Sequence, residues 1–270
     1  MKPTPHSRSG RRALVTGGSS GLGAAVASVL AGAGYRVALL ARREDALNAV
    51  CARLDGSGHI TVPCDLTNHV DIARAMDHVD QAFGGLDLLV NNAGIGYRAR
   101  IEEIEPDLLR AVFDTNVFGM LLACQGSLPL LRKGKRPVVI NVSSVVGRRG
   151  IPGQAAYSAS KAAVCSIGEA LRVEWAPENI AVCTLNPALT ATGFFQAQAN
   201  PSRLPDPDLA DADPAEDVAL HVLQLDSRPH PEVYLRKKWR WLGILSVTHP
   251  RLADSLLVRR LGGDWKKPNW

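Results

Sequence analysis

Thr16-Gly17-Gly18-Ser19-Ser20-Gly21-Leu22-Gly23 is the stretch that decides the fold of this chain. It follows a short apolar run at 13–16 and leads at once into Ala24-Ala25-Val26-Ala27, which reads as the start of a helix. Strand, glycine turn and helix in that order make a phosphate cradle. The glycines let backbone N–H groups approach a pyrophosphate, and the positive end of the helix dipole favours its charge. A glycine cluster alone is a weak signal; its place between a strand and a helix makes it specific.

Outward from this turn, short β-branched apolar runs alternate with longer stretches of helical period, the pattern of repeated strand-helix-strand units and so of a parallel sheet. Strands are expected at 13–16, 36–41, 60–64, 86–91, 138–143 and 180–185, with helices starting near Leu22, Glu44, Val70, Asp107, Ala156 and Pro214. The strand runs are apolar throughout rather than alternating, as expected when helices cover both faces of a sheet. The fold class is therefore α/β, a doubly wound parallel sheet of the Rossmann type. Residues 200–213, rich in proline and aspartate, read as a mobile loop.

At the end of the second strand such a fold chooses between dinucleotides. An acid there accepts from a ribose 2′-hydroxyl, whereas an arginine meets a 2′-phosphate. This chain has Ala41-Arg42-Arg43, with Glu44 and Asp45 already in the next helix. Cations are unfavourable at a helix N-terminus unless an anion joins them. The reading is NADP(H), with Arg42 as the first contact and Arg43, Ser19 and Ser20 assisting.

Tyr157-Ser158-Ala159-Ser160-Lys161 opens a later helix and sets a phenol and an ammonium four residues apart on one face. A free phenol titrates near pH 10. The lysine, together with a positive nicotinamide ring, is expected to favour phenolate and bring the tyrosine toward neutrality.

Several segments together resemble the short-chain dehydrogenase/reductase family. They are the TGxxxGxG spacing of the first turn, Cys64-Asp65-Leu66, Asn91-Asn92-Ala93-Gly94, Asp114-Thr115-Asn116-Val117, Asn141-Val142-Ser143-Ser144 and the YxxxK pair. The resemblance covers roughly residues 11 to 200. It implies that Asn116, Ser144, Tyr157 and Lys161 are catalytic. Ser144 rather than Ser143 fits the distance to the tyrosine, and Asn116 fits the asparagine that keeps a proton-relay water against the lysine. It further implies cofactor contacts from Gly17, Gly21, Leu22, Gly23, Asp65 (to the adenine amino group), Leu66, Asn92, Ala93, Gly94, Pro187, Thr190 and Thr192, and from Lys161 to the nicotinamide ribose. Where the family usually shows Pro-Gly, this chain has Pro187-Ala188.

The resemblance implies hydride transfer between NADPH and a ketone or aldehyde, or the reverse oxidation of an alcohol, without a metal, in a homodimer or homotetramer. Two rivals are a fold relative acting as epimerase or dehydratase without net cofactor turnover, and a cofactor-sensing regulator. The latter has no need of the full catalytic set.

Composition excludes other classes. Of 270 residues 46% are hydrophobic and 21% charged, ordinary for a chain with a large core. The net charge of +5 gathers at the N-terminal arm and in the last residues, so the body lacks the basic surface of a nucleic-acid binder. Five scattered cysteines show no metal-ligand spacing and read as reduced thiols. No run approaches the roughly 20 apolar residues of a membrane span, and no leader is apparent, so a cytoplasmic location is expected.

Three regions follow: a disordered arm at 1–10, a catalytic domain at 11–235 with its substrate loop about 188–213, and a basic amphipathic extension at 236–270. Residues 232–235 read as a last strand. The extension either packs over the substrate cleft or makes peripheral contact with a membrane. Both readings point to a lipophilic substrate.

Overall fold

The structure is a computed structural model that describes residues 9–262 and 265–266; of the arm expected to be disordered, only Ser9 and Gly10 fall among them. Strands β1 (Arg12–Thr16), β2 (Arg36–Ala41), β3 (Ile60–Pro63), β4 (Leu88–Asn91), β5 (Val138–Val142) and β6 (Ala181–Asn186) lie within two residues of their expected bounds. Between them run α1 (Gly21–Gly32), α2 (Glu44–Cys51), α3 (His69–Phe83), α4 (Pro106–Phe113), α5 (Gly119–Arg132) and α6 (Ala155–Glu174). Then come β7 (Thr190–Ala191), α7 (Phe194–Ala197), β8 (Asp213–Pro214), α8 (Ala215–Ser227), β9 (Glu232–Tyr234), α9 (Lys237–Thr248) and α10 (Pro250–Leu261).

Seven strands form one sheet in the order β3-β2-β1-β4-β5-β6-β9, every pair parallel. One apolar cluster gathers Val26, Leu30, Leu47 and Val222 from α1, α2 and α8; the other gathers Ile72, Val79, Leu130 and Leu171 from α3, α5 and α6. The strand order reverses between β1 and β4, and a crevice opens beyond their C-terminal ends, where open α/β sheets bind ligands.

Thr16 closes the seam at that crevice. Its Oγ1 accepts from the backbone N–H groups of Asn92 and Ala93 at 3.0 and 3.1 Å, and the Asn92 Nδ2 donates to the Thr16 carbonyl at 3.1 Å. The turn after β1 is thereby fixed to the turn after β4. Asn91 Nδ2 in turn donates to Asn141 Oδ1 at 2.9 Å, one strand further on.

Three expectations are refined. The stretch 200–213 is a loop, as expected, and named contacts attach it to the body: β8 pairs with β7, the buried Arg98 binds Asp206 and the Pro205 carbonyl, and Asn200 bonds the Leu204 backbone in both directions. The helix expected to start near Pro214 is α8, with Pro214 as its cap residue. The helix expected near Asp107 is two helices joined by a wide π-type turn, Asp114–Phe118, of the kind frequent at functional sites.

Candidate active site

The glycine turn is shaped by close packing. Gly17 and Gly21 have φ of +69° and +53°, which favour glycine, and a Cβ on Gly23 would stand 2.2 Å from the Gly17 carbonyl oxygen. Ser20 caps α1 in extended backbone with no side-chain bond to the first-turn amides, and that turn carries no acid. Open N–H groups without a competing carboxylate suit a pyrophosphate, so the residues present fit a dinucleotide.

Arg42 and Arg43 line the same crevice, and Arg43 Nη2 stands 3.5 and 3.4 Å from the hydroxyls of Ser19 and Ser20. Asp65, just beyond β3, accepts from the Thr67 N–H and hydroxyl through Oδ1, both at 2.9 Å. Those bonds, with the charge of Arg42, hold its carboxyl below the usual range. It stays an anion facing the cleft beside Leu66.

The other end of the cleft is built on β5 and α6. Ser144 follows β5, and Tyr157 and Lys161 sit on the first turns of α6. Lys161 Nζ donates to the Val142 carbonyl at 2.9 Å and lies 5.9 Å from the Tyr157 ring centre. Burial pushes the lysine down from 10.5 to about 8. Burial also pushes the Tyr157 phenol up, opposed by a hydrogen bond with Ser144. Burial is the larger of these two influences, so in the protein alone the phenol is held as a proton donor; the lowering expected above belongs to Lys161 acting together with a positive nicotinamide ring.

Besides its bond with Tyr157, the Ser144 hydroxyl has two long ones, from the Val146 N–H at 3.3 Å and to the Pro187 carbonyl at 3.5 Å, which leaves it able to turn toward a substrate oxygen. Ser143, by contrast, is spent on the Lys161 carbonyl at 2.8 Å and on Cys165.

Asn116 does not line the cleft. It sits buried in the π-type turn, where Oδ1 accepts from the Ile95 N–H at 2.8 Å and Nδ2 donates to the Ile95 carbonyl at 3.0 Å and to Ser160 at 3.1 Å. A Cβ on Gly94 would stand 3.1 Å from Asn116 Oδ1 and 3.4 Å from Lys161 Nζ, so the glycine leaves room beside both groups that any larger residue would fill.

Every other catalytic or cofactor contact implied from the sequence lines one continuous cavity of about 1340 Å³, including Asn92, Ala93, Pro187, Thr190 and Thr192. Thr192 packs over the glycine turn, 3.5 Å from where a Gly21 Cβ would be.

The sequence marked the substrate loop at 188–213 and the extension as surroundings of this cavity, but not which of their side chains reach it. The Phe194 ring stands 5.7 Å from that of Tyr157, and Arg98 anchors Asp206 at 3.0 Å. Trp239, Leu242, Leu257 and Trp265 from the extension form an apolar wall. Arg149 to Asp254 and the Arg100 guanidinium over Trp265 fasten that wall to the body. No short-range pattern marks them, because each reaches the site by a long-range contact.

A doubly wound sheet with a dinucleotide cradle at its switch point, and a serine, tyrosine and lysine at the far end of one cleft, defines an oxidoreductase acting on CH–OH and C=O groups. The short chain dehydrogenase family model matches residues 11–202, and the chain belongs to that family. Carbonyl reductase family member 4 of Danio rerio is 34% identical over 183 residues, covering 67% of this chain and 76% of that protein. Among solved structures, a short chain dehydrogenase from Burkholderia cenocepacia in complex with NADP superposes with a TM-score of 0.78 at 27% identity, over 94% of this chain and 99% of that one. A 3-ketoacyl-(acyl-carrier-protein) reductase from Brucella melitensis complexed with NADH gives 0.77 at 27% identity, over 85% and 98%. Among the described residues no helix is long and apolar enough to cross a membrane.

Proposed function

We propose that this protein is an NADPH-dependent carbonyl reductase for lipophilic ketones or aldehydes. The observation that carries the reading is the convergence of Ser144 and Tyr157 on one wall of the cavity that also holds the glycine cradle. The nicotinamide dinucleotide, when bound, supplies the hydride. Tyr157 Oη, kept protonated by burial, gives its proton to the carbonyl oxygen. The Ser144 hydroxyl donates a second hydrogen bond to that oxygen as negative charge develops on it.

Lys161, buried behind the tyrosine on the Val142 carbonyl, holds a positive charge where proton loss from Tyr157 must be stabilised. Asn116 acts as a positioning residue, clamping Ile95 and Ser160 around the lysine end of the site. The preference for NADPH rests on Arg42 and Arg43 at the end of β2, where no acid faces the ribose. The lipophilic substrate rests on the Trp239, Leu242, Leu257 and Phe194 wall. A homodimer or homotetramer is supported by Phe118, Leu121 and Val173, apolar side chains left exposed on the turn before α5, on α5 and on α6.

The test is NADPH oxidation, followed by absorbance, against a panel of long-chain ketones, cyclic ketones and small aldehydes. Tyr157→Phe is expected to lose about 10²–10⁴ in turnover while NADPH binding stays nearly intact. Loss of less than about tenfold, or substrate turnover with no change in NADPH, would overturn the reading.

A further inference from the structure

The C-terminal extension is apolar on two sides. On α9 the inward positions Trp239 and Leu242 line the cavity, while Trp241, Ile244 and Val247 form a stripe on the opposite side, 68%, 44% and 83% exposed. On α10 Ala253 and Leu257 are buried, and Leu252 and Leu256 face out. A helix with a second apolar face wants a second apolar partner, and a tryptophan is a costly side chain to leave in water.

Cations rim the outward stripe: Lys237 and Arg240 on α9, Arg251 and Arg259 on α10, all exposed. Residues 236–270 hold nine Lys or Arg against two Asp, a charge of +7. The remaining 235 residues hold 22 against 24, a charge of −2, so the chain's whole positive balance sits here. One of the two acids, Asp254, is already paired with Arg149 on the body. A second copy of the same face would bring +7 against +7, which argues against self-association through it.

We infer that the outward face of α9 and α10 docks on an anionic lipid surface, with Trp241, Ile244 and Val247 entering the headgroup boundary and the cations meeting lipid charge. Between the two helices lies a cleft of about 300 Å³, lined by Leu256 from the outward side and by Trp239, Leu242, Leu257 and Arg260, which the main cavity shares. That cleft gives an apolar carbonyl compound dissolved in the lipid a path to Tyr157. The path rests on the reaction proposed above; the docking does not.

Co-sedimentation of the full chain with vesicles of equimolar phosphatidylserine and phosphatidylcholine, against pure phosphatidylcholine, tests the docking. Binding is expected on the anionic vesicles, weakening as salt is raised. Each cation is worth about fivefold in partition, so Lys237→Ala with Arg240→Ala lowers it roughly 25-fold. The triple variant Trp241→Ser, Ile244→Ser, Val247→Ser is expected to stay in the supernatant with an unchanged circular-dichroism melting curve. It should keep the turnover of a water-soluble aldehyde and lose that of a long-chain ketone carried in the vesicles.

Equal sedimentation with neutral and anionic vesicles, or variants that pellet like the parent, would overturn the docking. So would a lipid-free dimer in sedimentation velocity that the triple variant abolishes, since the stripe would then belong to a second copy. If no carbonyl compound is reduced while anionic vesicles still bind, the reaction fails and the docking stands.

Discussion

Replacing Lys161 with methionine is expected to make the protein more stable at neutral pH while it loses its activity. Lys161 is 5% exposed, and the described structure gives its ammonium one hydrogen bond, to the Val142 carbonyl, and no carboxylate. Burial lowers it from 10.5 to about 8. At 1.36 kcal/mol per pH unit that drop corresponds to roughly 3 kcal/mol against folding while the group is charged in both states. Leaving the Val142 carbonyl without its donor costs about 1–3 kcal/mol, so Lys161→Met gains at most about 2 kcal/mol at pH 7.

The pH dependence separates this from ordinary packing effects. Between about pH 8 and 10.5 the unfolded chain binds the proton that the folded protein has released, so the parent's stability rises with pH across that window. The variant has no such group. The stability difference should therefore move in the parent's favour by about 2 kcal/mol between pH 7 and 9.5, read from paired urea titrations at the two values. A difference that does not change with pH would refute the argument that the ammonium is held at a cost, and a fully active variant would refute its place in the chemistry.

Arg42→Asp is expected to weaken NADPH much more than NADH, by about one to two decades for one charge-assisted contact; equal loss in isothermal titrations with the two cofactors would make Arg42 structural. Gly23→Ala puts a methyl group 2.2 Å from the Gly17 carbonyl oxygen, so the turn must open; a cost of about 1–3 kcal/mol and loss of dinucleotide binding are expected by thermal melt and titration. Asp87, buried with Arg12 on both oxygens and the Lys135 N–H on one, is held below 3.8 by those bonds although burial alone would raise it. Its contribution is present above that value and lost as pH falls below it, so Asp87→Asn should cost about 3 kcal/mol at pH 7 and flatten the acid limb of the stability curve. Measured acid limbs that coincide would remove Asp87 from the network.

The strand of residues 36–41 was legible to the residue, and the glycine turn, the NNAG segment and the YxxxK pair were legible with it. These are local signals: apolar period, glycine where backbones must approach, and side chains one helical turn apart all act over a few neighbouring residues. The placement of Arg42 at the end of a strand was legible in the same way, whereas the choice of Ser144 over Ser143 came from the family resemblance, whose serine stands at that distance from the tyrosine.

Only the tertiary structure decided the rest. The tie from Thr16 to Asn92 and the clamp of Asn116 on Ile95 and Ser160 join segments tens of residues apart. The hold of Arg98 on the proline-rich stretch spans more than a hundred residues, so the sequence marked a loop there but not its anchor. The surroundings of Tyr157 divide in the same way. Spacing shows that a lysine is near, but the dominant influence is desolvation, and burial is a property of everything packed around a group. The extension shows the same division. Its charge and amphipathic period stand in the sequence, whereas the assignment of Trp239 to the cavity and Trp241 to the outside needed the body against which one face of the helix closes.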